Sequence, residues 1–169
     1  MAKWTLENLA RTSEIMLGTT NDAVNAAVVA ALIEKPEVPS NLINLAGRQR
    51  MLLQKMAKET ILYSLFLSMG ATEQAARNKK LSGETKVIFE ETHDALLHGN
   101  EILPKTTNVC ILQQMHVLWE SFEPFREDII SVLNGDDSEK SMLEQKAALR
   151  RIDTNTEVNF RAMHKAVGW

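Results

Sequence analysis

Cysteine occurs once, at Cys110, so no disulfide can form within the chain, and this small domain must be held by its core. Glycine (7) and proline (4) are too scarce for a loop-rich or fibrous protein. No basic excess exists: the net charge of −3 argues against a nucleic-acid partner. The longest uninterrupted apolar run, Ala26 to Ile33, is far short of the ~20 residues that span a bilayer. No basic stretch followed by an apolar one opens the chain, so no signal peptide is visible. A cytoplasmic protein or a piece of a longer one would both fit.

What the sequence does contain is helical periodicity. The few glycines and prolines fall at punctuation points: Pro36 and Pro39, Gly70, Gly99 with Pro104, and Gly135. Between them, apolar residues recur at spacings of three and four with almost no alternation. Five helices are predicted, near 3–34, 40–69, 72–98, 106–134 and 138–167. Ser40, Thr72 and Asp137 or Ser138 are the expected N-caps, and Gly99 the expected C-terminal glycine. Gly83 falls inside the third helix, and Pro124 is expected to kink the fourth. Helices of ~30 residues are ~45 Å long. The fold class is therefore all-α, an elongated antiparallel bundle. Residues 1–169 are read as one domain, with 1–39 an additional N-terminal helix and linker and 40–169 the core.

A weak internal repeat is present. Residues 6–24 laid on 149–167 pair Leu6 with Leu149, Leu9 with Ile152, Ser13 with Thr156 and Glu14 with Glu157. Either two helices of one bundle share a core pattern, or the first helix duplicates the last helix of a repeating module. The second reading expects an excised or tandem arrangement.

The stretch richest in chemistry is 41–58, Asn-Leu-Ile-Asn-Leu-Ala-Gly-Arg-Gln-Arg-Met-Leu-Leu-Gln-Lys-Met-Ala-Lys. From Pro39 to Lys58 it holds no acid but four cations, Arg48, Arg50, Lys55 and Lys58. Surface helices usually intersperse opposite charges three or four apart. Arg48 and Arg50 are about 200° apart around a helix and so face nearly opposite ways. Arg50 shares a small, apolar stripe with Ile43, Ala46, Gly47, Leu53 and Ala57. Gly47 costs ~1 kcal/mol of helix propensity relative to alanine, which suits a close approach by a backbone or ligand. A guanidinium on such a stripe must be paired or solvated. It is well matched to a planar oxyanion, and two copies meeting on a two-fold axis would need an anion between them. The competing reading pairs Arg50 with Glu90, Glu91 or Asp94 of another helix. Arg48, Lys55 and Lys58 are expected to be solvated.

Ile43-Asn44-Leu-Ala46-Gly47-Arg48-Gln49-Arg50-Met51, followed by Gln54 and Met56-Ala57-Lys58, resembles the box of the PilJ/NarX-type sensor domain. That family includes the type IV pilus chemotaxis transducer and nitrate/nitrite sensor kinases and chemoreceptors. Weaker likeness runs through residues 96–99, Leu118-Trp119 and 159–167. Leu53 stands where the family pattern has a small polar residue, and Lys55 where it often has arginine. The resemblance implies a four-helix-bundle sensor that dimerises and binds nitrate or nitrite between its box helices. It implies Arg50 as the ligand-binding arginine and Gly47 as the box glycine, with Asn44, Arg48 and Met51 around them. It further implies an extracytoplasmic setting and a signalling output module or membrane receptor as partner. The family usually places its box helix just after a membrane span, where this chain has residues 3–34.

Rival chemistries are thinner. Glu90-x-x-His93 is the kind of pair used in di-iron bundles, but its nearest counterpart, Gln113-x-x-His116, replaces an anionic ligand by an amide. Cys110 sits among Val109, Ile111 and Leu112, as a buried thiol would. No phosphate-cradling glycine loop is present. An enzyme is thus not expected, nor is a cofactor or metal. The alternative is a helical module that only dimerises, with its eight methionines as adaptable packing surface.

Overall fold

The computed structural model describes residues 2–34, 40–101, 105, 109–136 and 139–166. Five helices account for nearly all of them: α1 (Ala2–Glu34), α2 (Ser40–Ser68), α3 (Thr72–His98), α4 (Val109–Asn134) and α5 (Glu139–Ala166). Their bounds follow the glycine and proline punctuation. Gly70 turns α2 into α3 with φ +68°, and Gly99 ends α3 with φ 79°, donating its N–H to the Ala95 carbonyl at 2.9 Å. Both conformations are left-handed, which glycine adopts without steric penalty.

One cap differs from expectation. Thr72 is the first residue of α3, and Ala71 occupies the N-cap without a side-chain hydrogen bond. Ala71 is buried, and its N–H is taken by the Phe66 carbonyl at 2.9 Å. Packing and backbone bonding in the tight turn thus replace the expected hydroxyl cap. Gly83 lies within an unbroken α3, and α4 continues through Pro124. The expected caps at Asp137 and Ser138 lie outside the described residues.

Packing is antiparallel within the pairs α2·α3 and α4·α5, and α2 touches all four other helices. The reason is legible around its circumference. Leu52, Leu53, Met56, Ala57, Tyr63 and Phe66 are buried, spread over more than one face, as a helix with neighbours on several sides requires. The opposing helices supply Phe89, Leu96, Met115, Leu118, Phe122, Phe125, Ile129 and Ile152. Phe122 is central: its ring lies 4.3 Å from that of Phe89, 5.5 Å from Trp119 and 6.1 Å from Phe125. Asp128 and Arg151 clip α4 to α5 through a 2.6 Å bond from Arg151 Nη2 and a 2.9 Å bond from Nε to Oδ1.

α1 lies antiparallel along α2. Asn25 on α1 accepts from Asn44 on α2 at 3.4 Å, and Ser13 accepts from Lys58 at 3.2 Å. Leu6 and Ala10 pack on the core from this side. The repeat positions differ in burial: Ile152 on α5 is 0% exposed, whereas its counterpart Leu9 on α1 is 61% exposed.

Truncating Phe122 to alanine should lower unfolding free energy by ~3–5 kcal/mol, because the site is enclosed by rings that cannot collapse into the space. Urea unfolding followed by far-UV circular dichroism checks this. A change below ~1 kcal/mol would mean that the aromatic cluster is not the core.

Candidate functional site

The box occupies the first half of α2, and the three residues at its centre are sorted by exposure. Arg48 is exposed, Gln49 is buried at 1% exposure and Arg50 is half-buried at the rim. This follows from helix geometry, since each residue is turned ~100° from the last. Gln49 reaches across to α3, where Nε2 donates to the Phe89 carbonyl at 3.3 Å. Asn44 and Met51 are half-buried, and Asn44 touches α1, as Lys58 does at the other end of the box. Gly47 lies within α2; its surroundings, and those of Ile43 and Ala46, are outside the described residues. The stripe assigned to Arg50 divides. Leu53 and Ala57 turn into the chain's own core, and Arg50 stays at its boundary.

Two of the three cations expected to be solvated, Lys55 and Lys58, are half-buried and engaged instead. Lys55 Nζ donates to Thr85 Oγ1 at 2.7 Å, and Thr85 donates in turn to Glu59 Oε2 at 2.8 Å. Lys55 also stands 2.9 Å from Glu59 Oε1, though off the line that a hydrogen bond needs, so that oxygen is held by charge alone. Glu59 is fully buried, and a lone carboxylate there would be untenable without its cation. Next to Glu59, Thr60 donates to the Met56 carbonyl at 2.9 Å and accepts from Ser82 at 2.8 Å. Lys58 leans toward α1; partial burial lowers its pKa, against the pull of Glu59 and Glu14. Sequence spacing gave Lys55 an acid at i+4, Glu59, but not the burial that makes the pair matter.

Glu90 and His93, weighed above as metal ligands, serve different environments. Glu90 takes a 2.9 Å bond from Lys86 and a 2.6 Å bond from Arg126. Burial alone would raise its pKa, but these two cations outweigh it and hold it below the usual carboxylate value. His93 is 2% exposed, 4.9 Å from the Trp119 ring and stacked at 6.2 Å on Phe89. Among the described residues, neither of its ring nitrogens has a hydrogen-bond partner, and Gln49 Oε1 has none either. Among the described residues, no group of three histidines, cysteines or acids could hold a metal.

The chain matches the family of type IV pili methyl-accepting chemotaxis transducer N-terminal domains, PilJ, over residues 34–150, well over half its length. The chain belongs to the PilJ family. The match spans the box, the α2·α3 hairpin, α4 and the start of α5, and leaves α1 almost wholly outside. A PilJ domain is the N-terminal part of a chemotaxis transducer, a signalling module rather than a catalytic one. No curated protein and no solved structure matches the chain. No helix among the described residues is long and apolar enough to cross a membrane.

Burial pushes the His93 pKa down to about 4, with the nearby His116 adding to the effect. Its folded value lies below the ~6.5 of an unfolded histidine. The folded ring therefore refuses a proton that the unfolded chain accepts. Stability fully present above pH ~6.5 is lost as the pH falls toward 4, by about 3 kcal/mol. Urea midpoints at stepped pH should fall through this window in the native chain, and fall less in His93→Phe. Parallel profiles for the two would remove His93 from the account.

Proposed function

We propose that this PilJ domain senses a small oxyanion, nitrate or nitrite, held by Arg50 at a seam between two protomers. The observation that carries the reading is the half-buried position of Arg50 on α2, one residue beyond a Gln49 that turns into the core. Gln49 is turned into the core, Arg48 into solvent and Asn44 toward α1. A guanidinium at a half-buried rim is poised for a planar anion, where charge-assisted bidentate bonds form in lowered dielectric. Met51, half-buried on the same helix, would help exclude water.

In this reading two α2 helices approach each other at Gly47, and the anion offsets the repulsion between two Arg50 side chains. Ligand binding then stabilises one arrangement of the α2 helices over another in proportion to its differential affinity. The resulting shift passes to a signalling output module or membrane receptor, with the domain on the extracytoplasmic side. The alternative is a module whose box only dimerises.

Calorimetric titration with nitrate, nitrite and chloride, with dimer mass followed in parallel, separates the two. Saturable binding of nitrate or nitrite but not chloride, at one anion per dimer, is expected. Arg50→Ala should abolish it with helicity intact. Unchanged affinity in that variant would remove Arg50 from the site, and a silent titration would leave the dimerisation module.

A further inference from the structure

A second cleft lies away from the box, where α1 crosses the α2–α3 turn, and it has a volume of ≈370 Å³. That is within the range of small-ligand sites, ~300–1,000 Å³. One wall is the α1 face carrying Glu7, Arg11 and Glu14, and the other is the α3 face carrying Gln74, Arg77 and Asn78. Ala10 and the buried ring of Phe66 complete the lining with apolar surface.

The charges are arranged in an unexpected way. Glu7 and Glu14 stand four residues before and three after Arg11, the spacings at which a helix pairs acids with a base. Neither pair forms. Glu7 accepts from Gln74 across the cleft at 2.8 Å, and Glu14 pairs with Arg77 at 3.0 Å. Arg11 is left with one long bond, 3.4 Å to Asn8 in its own turn. The cleft thus holds two arginines and two glutamates, and one of those arginines has no carboxylate.

We infer that this cleft binds a net-neutral ligand with separated charges and an apolar tail, namely a free α-amino acid of aliphatic side chain. Its carboxylate meets Arg11 in the bidentate geometry that a guanidinium favours. Its ammonium group lies toward Glu7 and Glu14, and its side chain rests on Phe66 and Ala10. The lining sums to zero charge, two arginines against two glutamates, so it complements a ligand that carries both signs better than an ion of one sign. α1 lies almost wholly outside the stretch matched to PilJ, so one wall of this site is supplied by the additional helix and the other by the matched region. It is independent of the oxyanion reading.

Titration of the full chain with L-leucine, 4-methylpentanoate and 3-methylbutylamine tests this, since the last two are leucine without its ammonium and without its carboxylate. Leucine should bind saturably and each half-molecule at least ~10-fold more weakly. Arg11→Gln, at an exposed position, should weaken leucine at least ~10-fold with helicity intact, and Glu7→Gln should weaken it as well. Arg50→Ala should leave it unchanged. No binding of any of the natural amino acids up to ~10 mM would overturn the proposal. So would leucine binding that survives Arg11→Gln, or leucine displaced by nitrate.

Discussion

Glu59 is a carboxylate with no exposed surface in the middle of α2, and much of the bundle's register answers to it. A buried charge of this kind is tolerable only with a cation and hydrogen bonds in fixed places. Lys55 supplies the cation from its own helix, and Thr85 supplies the hydrogen bond from α3. Because Thr85 also accepts from Lys55, the three groups fit together at one setting of α2 against α3. Sliding either helix by a turn would strand the charge, a larger penalty than any single apolar contact there. The Thr60–Ser82 hydroxyl pair, next to Glu59, repeats the constraint. Polar groups in the core thus fix the alignment, while Phe89, Phe122 and their neighbours supply the burial.

Further up the same seam the fit is less complete. Gln49 satisfies its amide nitrogen on the Phe89 carbonyl, but among the described residues its Oε1 and both His93 nitrogens have no hydrogen-bond partner. Unsatisfied buried groups cost on the order of 1–3 kcal/mol each. The α2·α3 seam is therefore held more firmly at Glu59, where the Lys55 charge makes up for the hydrogen bond that Oε1 lacks, than at the box. A sensor needs that gradient, because an element that is to move must come from the less stable end of the structure. Arg50 follows Gln49 directly, so any rotation of α2 that moves the one in its rim also moves the other in the core.

Helix number and bounds were legible because glycine and proline punctuate a chain that is otherwise periodic. The separation of Arg48 from Arg50 was legible too, being pure helix geometry. Partners across helices were not. Lys58 reaches Ser13 and Glu14 reaches Arg77, and no spacing rule connects residues so far apart in sequence. Glu90 and His93 looked like a metal pair because their spacing puts them on one helix flank. Glu90 is drawn to the cations Lys86 and Arg126, however, while His93 sits among rings. Leu9 and Ile152 make the same point for apolar residues: the repeat gives both helices one pattern, but burial depends on the neighbour each one meets.

The additional helix changes what a displacement of α2 can do. α1 is fastened to α2 at Asn44 and Lys58, and to α3 at Gln74 and Arg77. It therefore spans the same seam that Glu59 pins, from the box at one end to the α2–α3 turn at the other. If α2 turns or slides at the box while Glu59 holds farther along, α1 must either follow the box or keep its grip on α3. The contacts at the two ends differ in kind: one long amide–amide bond beside the box, and an ion pair with a 2.8 Å hydrogen bond at the turn. The weaker attachment lies at the box end, so a displacement of α2 there would cost less in α1 contacts than one at the turn.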